Sequence, residues 1–179
     1  MSINPVAKTF VEACAQRRLT VATAESLTAG LCAATLADVP GASAVLRGGF
    51  IVYATAMKSA LVGVDGDLIR RHGVVSAEVA SALAVGAAQR CGADIGIGLT
   101  GVAGPDSVEG HEVGEVFVAV YGPNADGEVE TSARCILDEY RSLSVKGRCN
   151  ESGPEDIRER VRGLAVDCAL VDALRHLDR

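Results

Sequence analysis

Short apolar runs alternate along the chain with longer helical segments, and this alternation constrains the fold more than any other feature. Residues 19–24 form a run rich in β-branched residues that predicts a buried strand, and an Ala-rich segment ending at residue 37 predicts a helix directly after a tight turn. The clearest helix is predicted at residues 76–90, and a strand follows at residues 94–99. Helices that alternate with strands indicate an α/β fold, with helices covering both faces of a sheet.

The alternation stops in the second half of the chain, where one strand follows another. Residues 115–121 and 128–137 predict strands, and the turn residues of segment 122–127 predict a hairpin between them. Because a hairpin joins antiparallel strands, we expect a mixed, mostly parallel sheet in a three-layer α/β/α arrangement. Residues 139–154 are polar and predict a loop before a last helix at residues 154–177.

The composition excludes several classes of protein. The chain has 179 residues, of which 49% are hydrophobic and 22% charged, so residues 1–179 are expected to form a single domain. Charged residues or glycine interrupt every apolar stretch before it reaches the ~18 residues that a membrane span needs. The first residues lack the pattern of a signal peptide. We therefore expect a cytoplasmic protein that does not associate with membranes.

Charge and side-chain chemistry exclude further classes of partner and cofactor. The formal net charge is −6, aromatic residues make up 3% of the chain and tryptophan is absent, which argues against binding to nucleic acid. The six cysteines include no C-x-x-C pair, and the three histidines lie far apart in the sequence. We therefore expect no disulfide framework and no structural metal site.

The first candidate site is the turn AESLTAG, residues 24–30, between the first predicted strand and helix. A serine at this place lies near the N-terminal amides of the helix, which can stabilise a developing oxyanion. When the segment is taken alone, a helix cap formed by Ser26 or Thr28 is the better explanation.

The second candidate site combines Tyr53 with Lys58. A desolvated lysine can accept the proton of a serine hydroxyl, because burial lowers the pKa of its ammonium group, and a tyrosine can relay that proton or orient a substrate. Taken singly, Tyr53 is better explained as a partly buried strand residue and Lys58 as a solvated helix residue.

The third candidate site is the loop TGVAGPD, residues 100–106, which follows a predicted strand. Glycine-rich loops at the carboxyl ends of strands often bind phosphate, and an ordinary surface connection explains this loop equally well. Arg141, Arg148 and Arg158 are candidate phosphate ligands around the last loop, although each one singly is better explained by a solvated basic surface.

Five blocks of sequence, taken in order, resemble one family. The run ATAESLTAG at residues 22–30 resembles the signature TAESCTGG. The other four blocks are PGAS at 40–43, GGFIVY at 48–53 with Lys58, HGVVS at 72–76 and TGVAGP at 100–105. Together they resemble the CinA C-terminal family, the nicotinamide mononucleotide deamidases of the PncC type. The resemblance covers residues 10 to about 121 and, more loosely, the last helix.

The resemblance implies a stand-alone cytoplasmic amidohydrolase of pyridine nucleotide salvage. It would convert nicotinamide mononucleotide and water to nicotinate mononucleotide and ammonia, with no metal or other cofactor. Ser26 would be the catalytic nucleophile, Lys58 and Tyr53 would handle its proton, and amides near Ser26 would form the oxyanion hole. The residues carried over as substrate-binding are Glu25, Thr28, Gly30, Thr100, Gly101, Ala103, Gly104, Pro105, Gly114 and Arg148. The expected partner is the small nucleotide, and a homo-oligomer is left open.

The chain departs from the family pattern at four places. Leu27 replaces a cysteine, Ala29 replaces the first of two paired glycines, and the segment SVEGHE at residues 107–112 replaces a stretch with Gly-Gly and Lys-Pro. The Gly-x-Arg before the last helix has no clean match. These departures leave two alternatives open: an amidohydrolase for another small amide or nucleotide, and a catalytically silent nucleotide-binding regulatory module.

Overall fold

The fold is built on one five-stranded β-sheet. The structure is a computed structural model and describes residues 3–143 and 154–179. Its strands are β1 (Val21–Glu25), β2 (Leu46–Ile51), β3 (Ile95–Gly101), β4 (Val116–Pro123) and β5 (Val129–Cys135). The strand order is β2-β1-β3-β4-β5. Strand β1 pairs in parallel with β2 and β3, whereas β4 pairs antiparallel with β3 and β5. Four strands thus run one way and β4 the other, which confirms the predicted mixed, mostly parallel sheet.

Helices cover both faces of this sheet and confirm the three-layer prediction. The α-helices are α1 (Pro5–Arg17), α2 (Leu31–Ala37), α3 (Thr55–Val62), α4 (Gly66–His72), α5 (Ala77–Cys91), α6 (Leu137–Leu143) and α7 (Pro154–Leu177). One core joins α1, α2 and α7 to the sheet through residues such as Phe10, Ile97 and Leu170. A second core joins α5 to the opposite face through Val79 and Leu83. None of the helices within 3–143 and 154–179 is long and apolar enough to cross a membrane.

The polar segment predicted as a loop begins instead with a helix. Helix α6 occupies Leu137–Leu143, and β5 ends at Cys135 rather than at residue 137. Ile136 is fully buried and its amide donates to the carbonyl of Val116, which anchors the start of α6 beside the sheet. Asp138 and Glu139 lie in the first turn, where a carboxylate interacts favourably with the helix dipole.

The backbone of α5 packs directly against β3. A Cβ atom on Gly98 would lie 2.2 Å from the carbonyl oxygen of Ala80, and one on Gly96 would lie 1.9 Å from that of Ala84. A helix that exposes alanine toward a strand built from alternating glycines can therefore approach the sheet unusually closely. This contact fixes the position of β3, whose carboxyl end carries the loop at residues 100–106.

The side chain of Glu25 holds the turn between β1 and α2. Its Oε2 accepts the amides of Gly30 and Cys32 at 3.0 Å each, and its Oε1 accepts the amide of Ala33 and the hydroxyl of Thr23 at 2.9 Å each. Glu25 is 1% exposed. These contacts satisfy amides at the start of α2 that have no partner within the helix.

The predicted cap by Ser26 or Thr28 is therefore wrong. Helix α2 begins at Leu31, because the chain first passes through left-handed conformations at Ala29 (φ 51°) and Gly30 (φ 94°). This displaces the helix start from Ser26 and leaves the serine hydroxyl available. The left-handed φ of Ala29 also gives a physical reason for the glycine that the resembling signature has at this place.

We expect Gly98→Ala to destabilise the fold by more than about 3 kcal/mol, because the added methyl group overlaps a helix carbonyl that cannot move without separating α5 from the sheet. Gly163→Ala in α7 is the control, since a Cβ there meets no atom within 4 Å. That change should stabilise the protein by up to about 1 kcal/mol through helix propensity. Chemical denaturation measures both, and equal effects would contradict the close packing of α5.

We expect Glu25→Gln to lower the free energy of unfolding by about 2–3 kcal/mol, because the amide group brings an N–H toward amides that need an acceptor. Glu78→Gln makes the same change in the first turn of α5, where the side chain is exposed. That control should stay within about 0.5 kcal/mol of the unchanged protein. A Glu25→Gln protein as stable as the control would show that the carboxylate does not hold the turn.

Candidate active site

Ser26 lies directly beyond the carboxyl end of β1. Its amide donates to the carbonyl of Leu99 in β3 at 2.9 Å, so the backbone at the serine continues the pairing of two neighbouring strands. The side chain is half-buried. The serine hydroxyl is therefore held at the edge of the sheet where parallel strands end, which is where open α/β sheets bind ligands.

The ammonium group of Lys58 reaches Ser26 from α3. Its Nζ lies 3.1 Å from Ser26 Oγ, 2.9 Å from the carbonyl oxygen of Val52 and 3.5 Å from that of Tyr53. Lys58 is 2% exposed, so the interpretation as a solvated helix residue is wrong. Among the described residues, no carboxylate forms an ion pair with it. Burial lowers the pKa of Lys58 below the ordinary value of 10.5.

The three oxygens around Lys58 permit a simple proton transfer. A charged ammonium group donates three hydrogen bonds, whereas a neutral amine donates two and has one lone pair. Two carbonyl oxygens can accept the two N–H groups of the neutral amine, which leaves the lone pair directed at Ser26. A neutral Lys58 can therefore accept the proton of the serine hydroxyl, as a general base does.

The hydroxyl of Tyr53 is directed to a different partner. Its oxygen lies 3.3 Å from Nη2 of Arg158, and the side chain is 57% exposed. Only the backbone carbonyl of Tyr53 contacts Lys58. Of the three residues predicted to act together, the structure joins Ser26 and Lys58 by a hydrogen bond and leaves the tyrosine hydroxyl with Arg158.

A cleft of about 220 Å³ opens beside Ser26, and most of the loop at residues 100–106 lines it. The predicted residues that line it are Ser26, Tyr53, Lys58, Thr100, Gly101, Ala103, Gly104 and Arg158, and further lining comes from Thr55, Val74, Val75, Val102, Asp106 and Val108. Thr100 Oγ1 donates to the carbonyl of Val74 at 2.7 Å, which joins the end of β3 to the opposite wall.

Five residues predicted to bind substrate do not line this cleft. Both carboxylate oxygens of Glu25 already accept hydrogen bonds within the protein. Thr28 is fully buried, and its carbonyl accepts a hydrogen bond from Nη2 of Arg162 at 2.8 Å. Gly30 supplies a left-handed turn, Pro105 is exposed, and a Cβ on Gly114 would lie 2.2 Å from the ring of Tyr140. These five residues shape the backbone around the cleft. Arg148 lies outside the described residues.

The amides at the start of α2 are not available to a ligand. Glu25 occupies those of Gly30, Cys32 and Ala33, so the predicted oxyanion hole needs other donors. Within 3–143 and 154–179, no hydrogen bond uses the amides of Leu27 or Thr28, which follow the serine directly, or those of Ala103 and Gly104 in the facing loop. Of these residues, Ala103 and Gly104 line the cleft and can donate to a substrate, whereas Leu27 and Thr28 are buried outside the cleft lining.

The segment that departs from the family pattern is fixed by ion pairs. His111 Nδ1 lies 2.9 Å from Glu115 Oε1, and Nη2 of Arg141 donates to Glu112 Oε2 at 2.8 Å. Partial burial raises the pKa of Glu115, but the contacts with His111 and the amide of Glu112 outweigh this and lower it. Glu112, an acid whose charge would repel a phosphate, is therefore paired with an arginine of α6.

The neighbouring thiols and the metal-ligating side chains offer no alternative chemistry in the described part of the chain. Burial, aided by the nearby Glu25 carboxylate, raises the pKa of Cys32 well above its ordinary value, and burial raises that of Cys14 to about 12. Such thiols do not form the reactive thiolate at neutral pH. No cluster of three or more His, Cys, Asp or Glu side chains that could hold a metal occurs among residues 3–143 and 154–179.

Sequence reasoning missed the role of Arg162 and could not choose among three arginines. Arg158 donates to the carbonyl of Gly104 and to Tyr53, whereas Arg141 pairs with Glu112 away from the cleft lining. Arg158 and Arg162 lie one turn apart on α7, but that spacing alone predicts only a shared helix face. Their contacts depend on how α7 packs beside α2, which no local pattern reveals.

Comparisons with known proteins agree with this fold. The family model described as the CinA C-terminal domain matches residues 3–170. A CinA-like protein of Frankia casuarinae is 48% identical over 126 residues, which are 70% of this chain and 29% of that protein. The chain therefore spans less than a third of the length of this curated relative.

Two solved structures resemble the whole chain. The competence/damage inducible protein CihA of Agrobacterium tumefaciens is 29% identical, with a TM-score of 0.77 over 98% of both chains. A CinA superfamily protein of Escherichia coli is 26% identical, with a TM-score of 0.77 over 97% of this chain and 89% of that one. Because the family model covers nearly all of the sequence and the solved folds superpose over its whole length, this chain belongs to the CinA C-terminal domain family.

Proposed function

We propose that the protein is an amidohydrolase that converts nicotinamide mononucleotide and water to nicotinate mononucleotide and ammonia. The observation that carries the proposal is the contact of 3.1 Å between Lys58 Nζ and Ser26 Oγ, made by a lysine that is 2% exposed. A serine beside a buried, carboxylate-free lysine is an activated nucleophile. The choice of substrate comes from the sequence resemblance to the nicotinamide mononucleotide deamidases.

The first half of the reaction forms an acyl-enzyme. Neutral Lys58 accepts the proton of Ser26 while Ser26 Oγ bonds to the carboxamide carbon of the substrate. The resulting oxyanion is stabilised by backbone N–H groups, for which the unused amides of Ala103 and Gly104 in the cleft lining are the candidates. When the carbon–nitrogen bond breaks, the Lys58 ammonium returns its proton to the leaving amide nitrogen, and ammonia departs.

The second half releases the carboxylic acid. Lys58, neutral again, accepts a proton from water as the water oxygen attacks the carbonyl carbon of the acyl-enzyme. The bond to Ser26 Oγ then breaks, and the serine oxygen recovers the proton from Lys58. The sum is one water consumed and one ammonia formed, with both protein groups restored, so no metal or redox cofactor is needed.

Burial of Lys58 argues against the alternative of a silent binding module. A buried lysine without a carboxylate partner costs stability, since its charge is removed from water. Lys58 is surrounded by two carbonyl oxygens and the serine hydroxyl, which suit proton exchange with that serine rather than the packing of a core. An arrangement that lowers stability for the sake of reactivity is typical of active sites.

We expect Ser26→Ala to abolish ammonia release from nicotinamide mononucleotide while the protein stays folded. Because Glu25 and not Ser26 caps α2, the loss of stability should be limited to one hydrogen bond, about 0.5–1.5 kcal/mol. Ser59→Ala, an exposed position on α3, is the matched control and should retain full turnover. Turnover by Ser26→Ala equal to that of the control would rule out the serine mechanism.

The dependence of kcat/KM on pH tests the role of Lys58. Because the base must be neutral, activity should be low at acidic pH and rise with pH, with a midpoint below 10.5, as the lowered pKa of Lys58 requires. Lys58→Arg should remove this activity, since a guanidinium group stays protonated. Lys8→Arg on the surface of α1 is the control and should leave the profile unchanged. A rising limb that survives in Lys58→Arg would contradict the assignment.

A further inference from the structure

Strand β5 is an edge of the sheet, and in the described part of the chain its outer side pairs with no other strand. Its register with β4 is regular over seven residue pairs, from Val129 opposite Pro123 to Cys135 opposite Phe117. A regular edge of this length is a template for another strand, and proteins commonly protect such edges.

The two edges of the sheet differ in this protection. The opposite edge, β2, contains Gly48 and Gly49, and its pairing with β1 shifts register between Val21 and Ala22. Glycine and register shifts both weaken regular pairing. Strand β5 contains no glycine, proline or lysine, and the side chain of Val129 is 61% exposed. Of the two edges, β5 is therefore the one suited to pairing with a further strand.

The hydrogen bonds to β4 show which backbone groups of β5 point outward. The amide of Ile136 donates to the carbonyl of Val116 at 2.9 Å. At the other end, the amide of Asn124 donates to the carbonyl of Glu128 at 2.9 Å. Because bonded and non-bonded pairs alternate in an antiparallel ladder, the even-numbered residues of β5 bond to β4. The backbone groups that point outward belong to the odd-numbered residues, which are Val129, Thr131, Ala133 and Cys135.

A second copy of β5 fits this edge about a two-fold axis. Since only odd-numbered residues point outward, two antiparallel copies must pair odd with odd, and the axis must pass through a residue. The axis through Ser132 places Val129 opposite Cys135 and Thr131 opposite Ala133, so all seven residues are paired. An axis through Thr131 or Ala133 would lose two of these pairs.

The charges of β5 complement each other in the register centred on Ser132. Glu130 of each copy lies opposite Arg134 of the other, and opposite charges across an antiparallel pair are stabilising. Arg134 donates through Nε to Asp172 and through Nη1 to Glu139, which leaves Nη2 for a further acceptor. Glu130 is exposed, so its carboxylate can reach that group.

The space beside this edge is open. Helix α7 packs on β4 and β3, and a hollow of about 400 Å³ lies along β5, lined in part by Ser132, Arg134 and Arg175. Helix α6 follows β5 but turns back over the sheet, where the ring of Tyr140 lies against Gly114. A second strand can therefore approach β5 without displacing either helix.

We propose that two copies of this chain associate through β5, in antiparallel register about a two-fold axis at Ser132, so that their sheets become one continuous sheet. A contact of this symmetry needs a self-complementary surface, which Glu130 and Arg134 provide. The proposal does not depend on the proposed function, because β3 and β4 separate β5 from β1 and Ser26.

Sedimentation equilibrium of the full chain tests the association, and we expect a reversible dimer. Glu130→Lys places like charges opposite each other at both symmetric pairs and should raise the dissociation constant about tenfold. Glu12→Lys makes the same change on the exposed face of α1 and should dissociate like the unchanged protein. Ala133→Pro removes only an outward amide and should weaken the dimer about 10- to 100-fold. Should Ala133→Pro fail to fold, Glu130→Lys still tests the surface.

Cross-linking tests the register. Two Ser132 residues that face each other as a non-bonded pair have Cα atoms about 4.5 Å apart, which a disulfide can span. In a Cys135→Ser background, Ser132→Cys should form a covalent dimer when oxidised glutathione accepts the electrons of the two thiols. Val129→Cys in the same background is the control and should not, because the two Val129 residues lie at opposite ends of the paired segment.

Three results would overturn the proposal. A protein that sediments as a single chain at every concentration would exclude the association. A dimer that neither Glu130→Lys nor Ala133→Pro weakens would form through another surface. Equal cross-linking of Ser132→Cys and Val129→Cys would exclude the register centred on Ser132.

Discussion

The carboxylate of Glu25 is the interaction on which the rest of the site depends. It occupies the amides of Gly30, Cys32 and Ala33, so the first turn of α2 is satisfied from inside the protein. Without such an acceptor, Ser26 or Thr28 would be the nearby side chains able to cap the helix. Because the Glu25 carboxylate closes the turn, the hydroxyl of Ser26 does not cap the helix and is available to contact Lys58.

The burial of Lys58 beside Ser26 comes from the fold rather than from the segment that contains the lysine. Helix α3 exposes most of its residues, yet Val62 is buried in the core with α5, and Lys58 is buried where it reaches the carbonyl of Val52 after β2. The loop after β3 and Arg158 complete the opposite side of the cleft. Lys58, Ser26 and Arg158 thus come from three different parts of the chain.

The parts of the fold that the sequence predicts are those that hydrophobic periodicity and turn residues determine. The strands, the β4–β5 hairpin, the long helix at Ala77–Cys91 and the pairing of Ser26 with Lys58 all follow from local pattern or from the family resemblance. Local pattern could not predict that Glu25 caps α2, because the cap reaches across a left-handed turn. Nor could it predict the short helix α6, which lies in a mostly polar segment and depends on buried Ile136. The contacts of Arg158 depend on the packing of α7 and could not be predicted either.

The central claim, that Lys58 can give up its proton to serve Ser26, can be measured directly by titrating the side-chain amines in an NMR experiment. The chain has three lysines, Lys8, Lys58 and Lys146, so an isotope-labelled sample gives three signals, and Lys58→Arg identifies one of them. We predict that the Lys58 signal titrates below the ordinary value of 10.5. A Lys58 signal that titrates at or above 10.5 would contradict the mechanism.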